Sequence, residues 1–139
     1  MNTIKFLSEI RNANGPVYVR WSKSITLDNK RGYSRRYGTM REVGLSACEI
    51  GKDWDDDRIL RQLAEYEFCG GSCWIVTGEQ VGRGGDNEPL ITNVELIGKV
   101  SKPLLKAAKI ALLEYFISIP STYQSQRERF EQDIAALLA

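Results

Sequence analysis

The chain contains no histidine. Among its 139 residues this absence removes the widest range of chemistry. Ser-His-Asp and Cys-His activation of a nucleophile both need an imidazole. So do histidine general bases and most transition-metal sites. Any catalysis is left to carboxylate, lysine, tyrosine, arginine or cysteine. Long hydrophobic runs are missing too: no apolar stretch approaches the ~18 residues of a membrane span. The opening Met1-Asn2-Thr3-Ile4-Lys5-Phe6 lacks the basic region and apolar core of a signal peptide. Cysteine is scarce and odd in number: Cys48, Cys69 and Cys73. With no export signal, the expectation is reduced thiols in a cytoplasm. Cys69 and Cys73 are four apart, but structural zinc needs about four ligands. No metal is expected, and buried, inert thiols are the expected role.

What is present reads as a folded domain. Hydrophobic residues make up 42% and charged residues 27%, ordinary for a globular protein and against disorder. The length suits one domain, 1–139, with one sizeable core. There are no repeats, low-complexity tracts or linkers. The net charge of +1 hides an asymmetry, because residues 1–50 carry +5 and residues 51–100 carry −5. Mutual neutralisation in the fold is the expected use.

The pattern predicts a short helix from Thr3 with Ile4, Phe6, Leu7 and Ile10 inward, ending near Asn14-Gly15. Val17-Tyr18-Val19-Arg20-Trp21-Ser22 is β-branched and aromatic, a strand. Residues 23–42 read as a long basic loop, and 43–48 as a short strand. Asp53, Asp55, Asp56 and Asp57 open a helix, where carboxylates complement the positive end of the dipole. Ile59, Leu60, Leu63, Ala64 and Phe68 follow at helical spacing, until Gly70-Gly71. Residues 73–78, 89–91 and 94–100 read as strands. Pro103 suits the first turn of a helix that stops at Pro120. Ser121 with Gln124 resembles a capping box opening a last helix, with Phe130, Ile134, Leu137 and Leu138 inward. Without βαβ alternation the class is α+β: a small antiparallel or mixed sheet of four to five strands, with two helices at the C-terminus. Trp21, Leu63, Trp74, Val76, Leu96 and Leu112 are expected to share a core.

Three constellations carry chemistry. The first is Val81-Gly82-Arg83-Gly84-Gly85-Asp86-Asn87-Glu88-Pro89-Leu90-Ile91, a glycine-rich polar loop between strand-like runs. It is neither a dinucleotide fingerprint nor a Walker A loop. Its carboxylates suit calcium or magnesium in type, but the EF-hand spacing is absent. It reads as a tight hairpin bonding its own backbone, or as a binding loop on a rigid scaffold. Arg83, Asp86, Asn87 and Glu88, with Arg20, are its candidate binding residues. Either Arg83 and Glu88 serve the site, or Arg83 holds the loop by pairing with a carboxylate. The second is the basic run Arg20, Lys23, Lys30, Arg31, Arg35, Arg36 and Arg41, interleaved with Trp21, Tyr33 and Tyr37. Arginine with aromatics suits phosphate contact and base stacking. The pI of about 7.7 is low for a nucleic-acid binder, so a solvated loop is the preferred reading and nucleic acid is not the expected partner. The third is the aspartate cluster, which helix capping explains.

The blocks Val17–Ser22, Gly44-Leu45-Ser46, Arg61-Gln62-Leu63 with Tyr66, Trp74–Gly78, and Val81-Gly82-Arg83-Gly84 through Asp86-Asn87-Glu88-Pro89-Leu90 resemble a family of small bacterial proteins of unknown function. The resemblance spans roughly residues 17–101. It implies one domain and brings no activity. A second likeness is to the ADP-ribosyltransferase fold, through Arg20, Ser46 and Glu88 in that order. That likeness implies an arginine holding the NAD pyrophosphate and a glutamate stabilising a ribosyl cation. The leading expectation is a cytoplasmic binding or regulatory protein with its site at residues 81–91. The alternatives are an ADP-ribosyltransferase-like enzyme using Arg20, Ser46 and Glu88, and weak nucleic-acid binding through residues 20–41. The sequence assigns no ligand, cofactor, reaction or oligomeric state.

Overall fold

The computed structural model describes residues 3–23, 31–36 and 39–139. Their order is α1 (Thr3–Asn12), β1 (Val17–Ser22), β2 (Arg31–Arg36), β3 (Thr39–Ser46), β4 (Cys48–Ile50) and α2 (Asp56–Glu65). A 3-10 turn (Glu67–Cys69) leads to β5 (Ser72–Arg83), β6 (Pro89–Lys99), α3 (Lys102–Ser118) and α4 (Gln124–Leu138). The fold is α+β, with two helices at the C-terminus.

Every strand pair is antiparallel. Five strands run in the order β3-β6-β5-β1-β4, and β2 joins through β3. The ends of that five-strand order are joined by one residue. β3 pairs with β6 through Leu45–Ile91 and Ser46–Leu90, while β4 pairs with β1 through Val19–Cys48. Only Ala47 separates the two strands, and its N–H still bonds the Pro89 carbonyl at 3.1 Å. A chain cannot step from one edge to the other in one residue unless the sheet is rolled. The β5–β6 register shifts between Ile75 and Val76, Thr77 and Glu79, and Gln80 and Gly82. Such irregularities bend a strand and raise its twist, which supplies the curvature.

Rolling gives the sheet two apolar sides. Val17 and Val19 of β1, with Cys73 and Ile75 of β5, face the helices. There they meet Phe6, Leu7 and Ile10 of α1, Ile59, Leu63 and Ala64 of α2, and Leu104 and Ala108 of α3. Tyr18 and Val76 alternate with those residues and join Ala47, Ile91 and Val94 in a smaller inner cluster. The expected single core is therefore corrected. Leu63 and Val76 are buried in different clusters, Trp21, Trp74 and Leu112 are half-buried, and Leu96 is exposed. Each indole N–H is satisfied by a main-chain carbonyl. Trp21 donates to Leu63 at 2.8 Å, and Trp74 to Ser22 at 3.0 Å.

Other expectations change with tertiary pairing. Residues 31–36 and 39–46 pair as antiparallel strands where a loop was expected, because β6 offers its edge to the end of β3. Of the basic run, Arg31, Arg35 and Arg36 fall on β2 and Arg41 on β3. Lys30 and Tyr37 lie outside the described residues. Residues 89–99 make one strand, and β5 continues through Gly78 and Gly82 to Arg83. The last helix starts at Gln124, not Ser121, with the Tyr123 N–H donating to Gln126 Oε1 at 3.2 Å. Thr122 is held back instead, its hydroxyl donating to the Phe116 carbonyl at 2.7 Å. None of α4 is fully buried, and Leu138 is exposed. The aspartate cluster does what capping requires. Asp55 accepts from the Arg58 N–H at 2.8 Å, and Asp56 pairs with Arg11 at 2.6 Å. That ion pair joins the basic first third to the acidic middle.

Candidate functional site

Where the sheet rolls, β4 is too short to cover all of β1. It pairs with residues 17–19, so Arg20 and Trp21 lie beyond its reach. The gap is a cleft of about 310 Å³. One wall is β1 at Val19, Arg20 and Trp21, and another is the β3–β4 corner at Ser46, Ala47 and Cys48. Tyr66, Phe68 and Cys69 follow from the segment after α2, and Asp86 and Glu88 from the glycine hairpin.

Arg20 is half-buried, and its Nη1 donates to the Ser46 carbonyl at 2.5 Å. Among the described residues it has no carboxylate partner. Burial lowers its pKa from the usual guanidinium value, and the nearby Cys69 thiol opposes that shift. A guanidinium presents five donors in a fixed fork. One short bond to a carbonyl leaves donors for an anion. Another wall is aromatic. Phe68 is 81% exposed and lies tilted at 52° against Tyr66 with ring centroids 5.9 Å apart, so a ring face stands open to a ligand. The Tyr66 phenol lies against the half-buried Cys48 thiol. Burial pushes that thiol up, with Tyr66 opposing. Tyr66 is pushed up in turn, first by Cys48 and then by Glu65.

The hairpin is built around Glu88. The Gly84 N–H donates to the Glu88 carbonyl at 2.8 Å, and the Asn87 N–H returns to the Gly84 carbonyl at 3.0 Å. The Glu88 carboxylate folds over the turn, where Oε2 accepts the Asp86 N–H at 2.9 Å. A Cβ on Gly84 would lie 1.8 Å from Glu88 Oε1, so glycine there lets the carboxylate sit down. Gly82 and Gly85 meet nothing within 4 Å. The left-handed residue of the turn is Asn87, at φ 62°, a conformation asparagine tolerates. Gly82, Gly84 and Gly85 do not adopt that conformation. Glycines with positive φ fall instead at Gly15, Gly70 and Gly71.

The candidate residues divide. Arg20, Asp86 and Glu88 line the cleft, together with Ser46. Arg83 and Asn87 do not. Arg83 is exposed and donates to the Asn87 carbonyl at 2.9 Å, so it clasps the hairpin through the main chain. Tyr66, Phe68, Cys48 and Cys69 were not singled out as site residues. Their one legible signal is Tyr66-Glu67-Phe68-Cys69, two aromatics and a thiol just before Gly70-Gly71, which reads equally as a helix end. Among the described residues no group of three or more Cys, Asp or Glu is placed to hold a metal ion. No described helix is long and apolar enough to cross a membrane.

A family of unknown function, DUF6098, matches residues 1–119. The chain belongs to that family. The DUF6098 match takes in every cleft residue and α1 to α3, and α4 lies beyond it. No curated protein and no solved structure matches the chain.

Proposed function

We propose that the chain is a binding or regulatory protein whose cleft takes a small molecule carrying an anionic group and a flat ring. The observation that carries this is Arg20: a half-buried guanidinium with no carboxylate partner among the described residues, lining a cleft with an exposed aromatic wall. Its volume of about 310 Å³ is at the small end for ligand sites, which suits a mononucleotide-sized molecule. Asp86 and Glu88, which line the same cleft, supply acceptors for hydroxyl or amino groups. The three free thiols suit a reducing cytoplasm. Calorimetric titration with inorganic phosphate, nucleoside monophosphates and dinucleotides tests the reading. Arg20→Gln should weaken the best of these by more than about tenfold, near 1.4 kcal/mol, with an unfolding midpoint close to the parent's. Equal affinity in the variant would refute it.

A second reading has one observation in its favour. Arg20, Ser46 and Glu88, picked out by order alone, line the same cleft. On an ADP-ribosyltransferase-like reading Arg20 holds the pyrophosphate of NAD and Glu88 faces the reacting ribose. The Glu88 carboxylate would have to leave the Asp86 N–H to do so. Nicotinamide release from NAD, lost in Glu88→Gln, is the test. A chain that binds NAD without turning it over supports the binding reading alone.

A further inference from the structure

The three thiols are free but sit in three different places. Cys73 is buried under α2, its thiol pushed up to about 12 by burial. Cys69 is exposed, at the end of the 3-10 turn. Cys48 is half-buried at the start of β4. Cys48 and Cys69 open onto the same cleft, whereas Cys73 does not line it.

We propose that Cys48 and Cys69 are a hydroperoxide-reactive thiol pair whose disulfide closes the cleft across its floor. The accessible member reacts first. The Cys69 sulfur attacks the terminal oxygen of a hydroperoxide, the O–O bond breaks, and a sulfenic acid and an alcohol (water, for hydrogen peroxide) result. The Cys48 thiol then attacks the sulfenyl sulfur. The S–O bond breaks, the disulfide forms, and the oxygen leaves as water with the Cys48 proton. Two thiols and one hydroperoxide become one disulfide, one alcohol and one water.

The surroundings favour that division of labour. Cys69 is the exposed member, and exposure decides which thiol an oxidant meets first. Arg20 lies close enough to Cys69 for the two charges to interact. Cys48 is shielded by burial and by Tyr66, so it meets peroxide slowly but stands ready inside the cleft. A disulfide needs its Cβ atoms about 3.5–4.5 Å apart. The segment bearing Cys69 is anchored at Gly71, where a Cβ would lie 2.3 Å from the Ser22 carbonyl carbon, so the adjustment falls on Cys69 and on Gly70, where a Cβ would meet nothing within 4 Å. Once cross-linked, the turn would carry Phe68 with it and narrow the cleft beside Arg20.

This inference takes its consequence, loss of ligand, from the proposed binding function, but the cross-link itself is independent of it. The test treats the full chain with a small excess of hydrogen peroxide and reads intact mass and non-reducing peptide maps. The expected product has lost two hydrogens, links Cys48 to Cys69, and reverts with dithiothreitol. Cys73→Ala should give the same link. Cys48→Ser should stop at a Cys69 sulfenic acid that dimedone traps, and Cys69→Ser should not react. A Cys69 that runs on to sulfinic acid in the parent chain overturns the proposal, as does a link that is intermolecular or involves Cys73. Phosphate and mononucleotide titrations on reduced and oxidised chains separate the two ideas. A cross-link without binding by the reduced chain sinks only the ligand site. Binding without a cross-link sinks only the thiol pair. Where both hold, oxidation should weaken binding by about tenfold or more.

Discussion

The two sides of the rolled sheet follow different rules. Among the described residues, the helix-covered side gathers 14 buried residues from α1, α2, α3, the sheet and its flanks, and the inner side gathers five. On the first, amphipathic helices supply most of the cover, and packing sets the free energy. On the second, the sheet covers itself, with Tyr18, Val76, Ile91 and Val94 brought together by curvature. The cleft opens where that self-cover fails, at the stretch of β1 that β4 does not reach. The cleft therefore lies on the boundary of the two sides, taking Val19, Trp21 and Cys48 from the helix-covered cluster and Ala47 from the inner one.

The sharpest way to break this contrast is to cut the same side chain on each side. Ile59→Ala, in the large cluster, should cost toward the upper end of about 2–5 kcal/mol, and Ile91→Ala, in the small one, toward the lower end. Both isoleucines are 0% exposed, so burial alone predicts equal losses. Denaturant unfolding of the two variants decides. A costlier Ile91→Ala would make the inner cluster the better-packed one.

Alkaline unfolding sharpens the same contrast through Cys73. Burial raises its thiol from 9.0 to about 12. The native state therefore favours the neutral thiol. Its contribution is complete below pH 9.0 and is lost as the pH climbs toward about 12. Over that window this one group should remove about 1.4 kcal/mol of stability per pH unit. Cys73→Ala should start lower but fall with a shallower slope. Parallel pH profiles for parent and variant would show that Cys73 ionises without unfolding the helical side.

The smallest effect belongs to the hairpin. Arg83→Ala removes one exposed bond to the Asn87 carbonyl. It should cost no more than about 1 kcal/mol, and leave Arg20-dependent binding intact. Lost binding at unchanged stability would extend the site around the outside of the hairpin and make Arg83 a ligand-binding residue.

Parts of this division are readable in order along the chain. The helices announce themselves through local chemistry. Asp55 caps α2, Pro103 sits in the first turn of α3, and their apolar residues recur at helical steps. β1 and the start of β5 are legible because β-branched and aromatic residues cluster there. Arg20, Asp86 and Glu88 stand out as polar residues beside strand-like runs. The pairing of β2 with β3 is not legible, since these strands are largely polar and basic and gain strand structure from β6. Nor is the role of Tyr66, Phe68, Cys48 and Cys69, which meet only because two separate segments close on one gap.

Local interactions reach a few residues, so composition and periodicity by themselves determined the α+β class, the helix starts and the absence of imidazole chemistry. They also determined which residues were chemically able to form a site. Tertiary structure alone decided which of them meet. The roll of the sheet at Ala47, the separation of two apolar clusters and the pairing of Arg20 with the Ser46 carbonyl depend on contacts between residues far apart in the chain. Closing those loops is repaid by non-local burial and hydrogen bonding, and neither term is written in any short window of sequence.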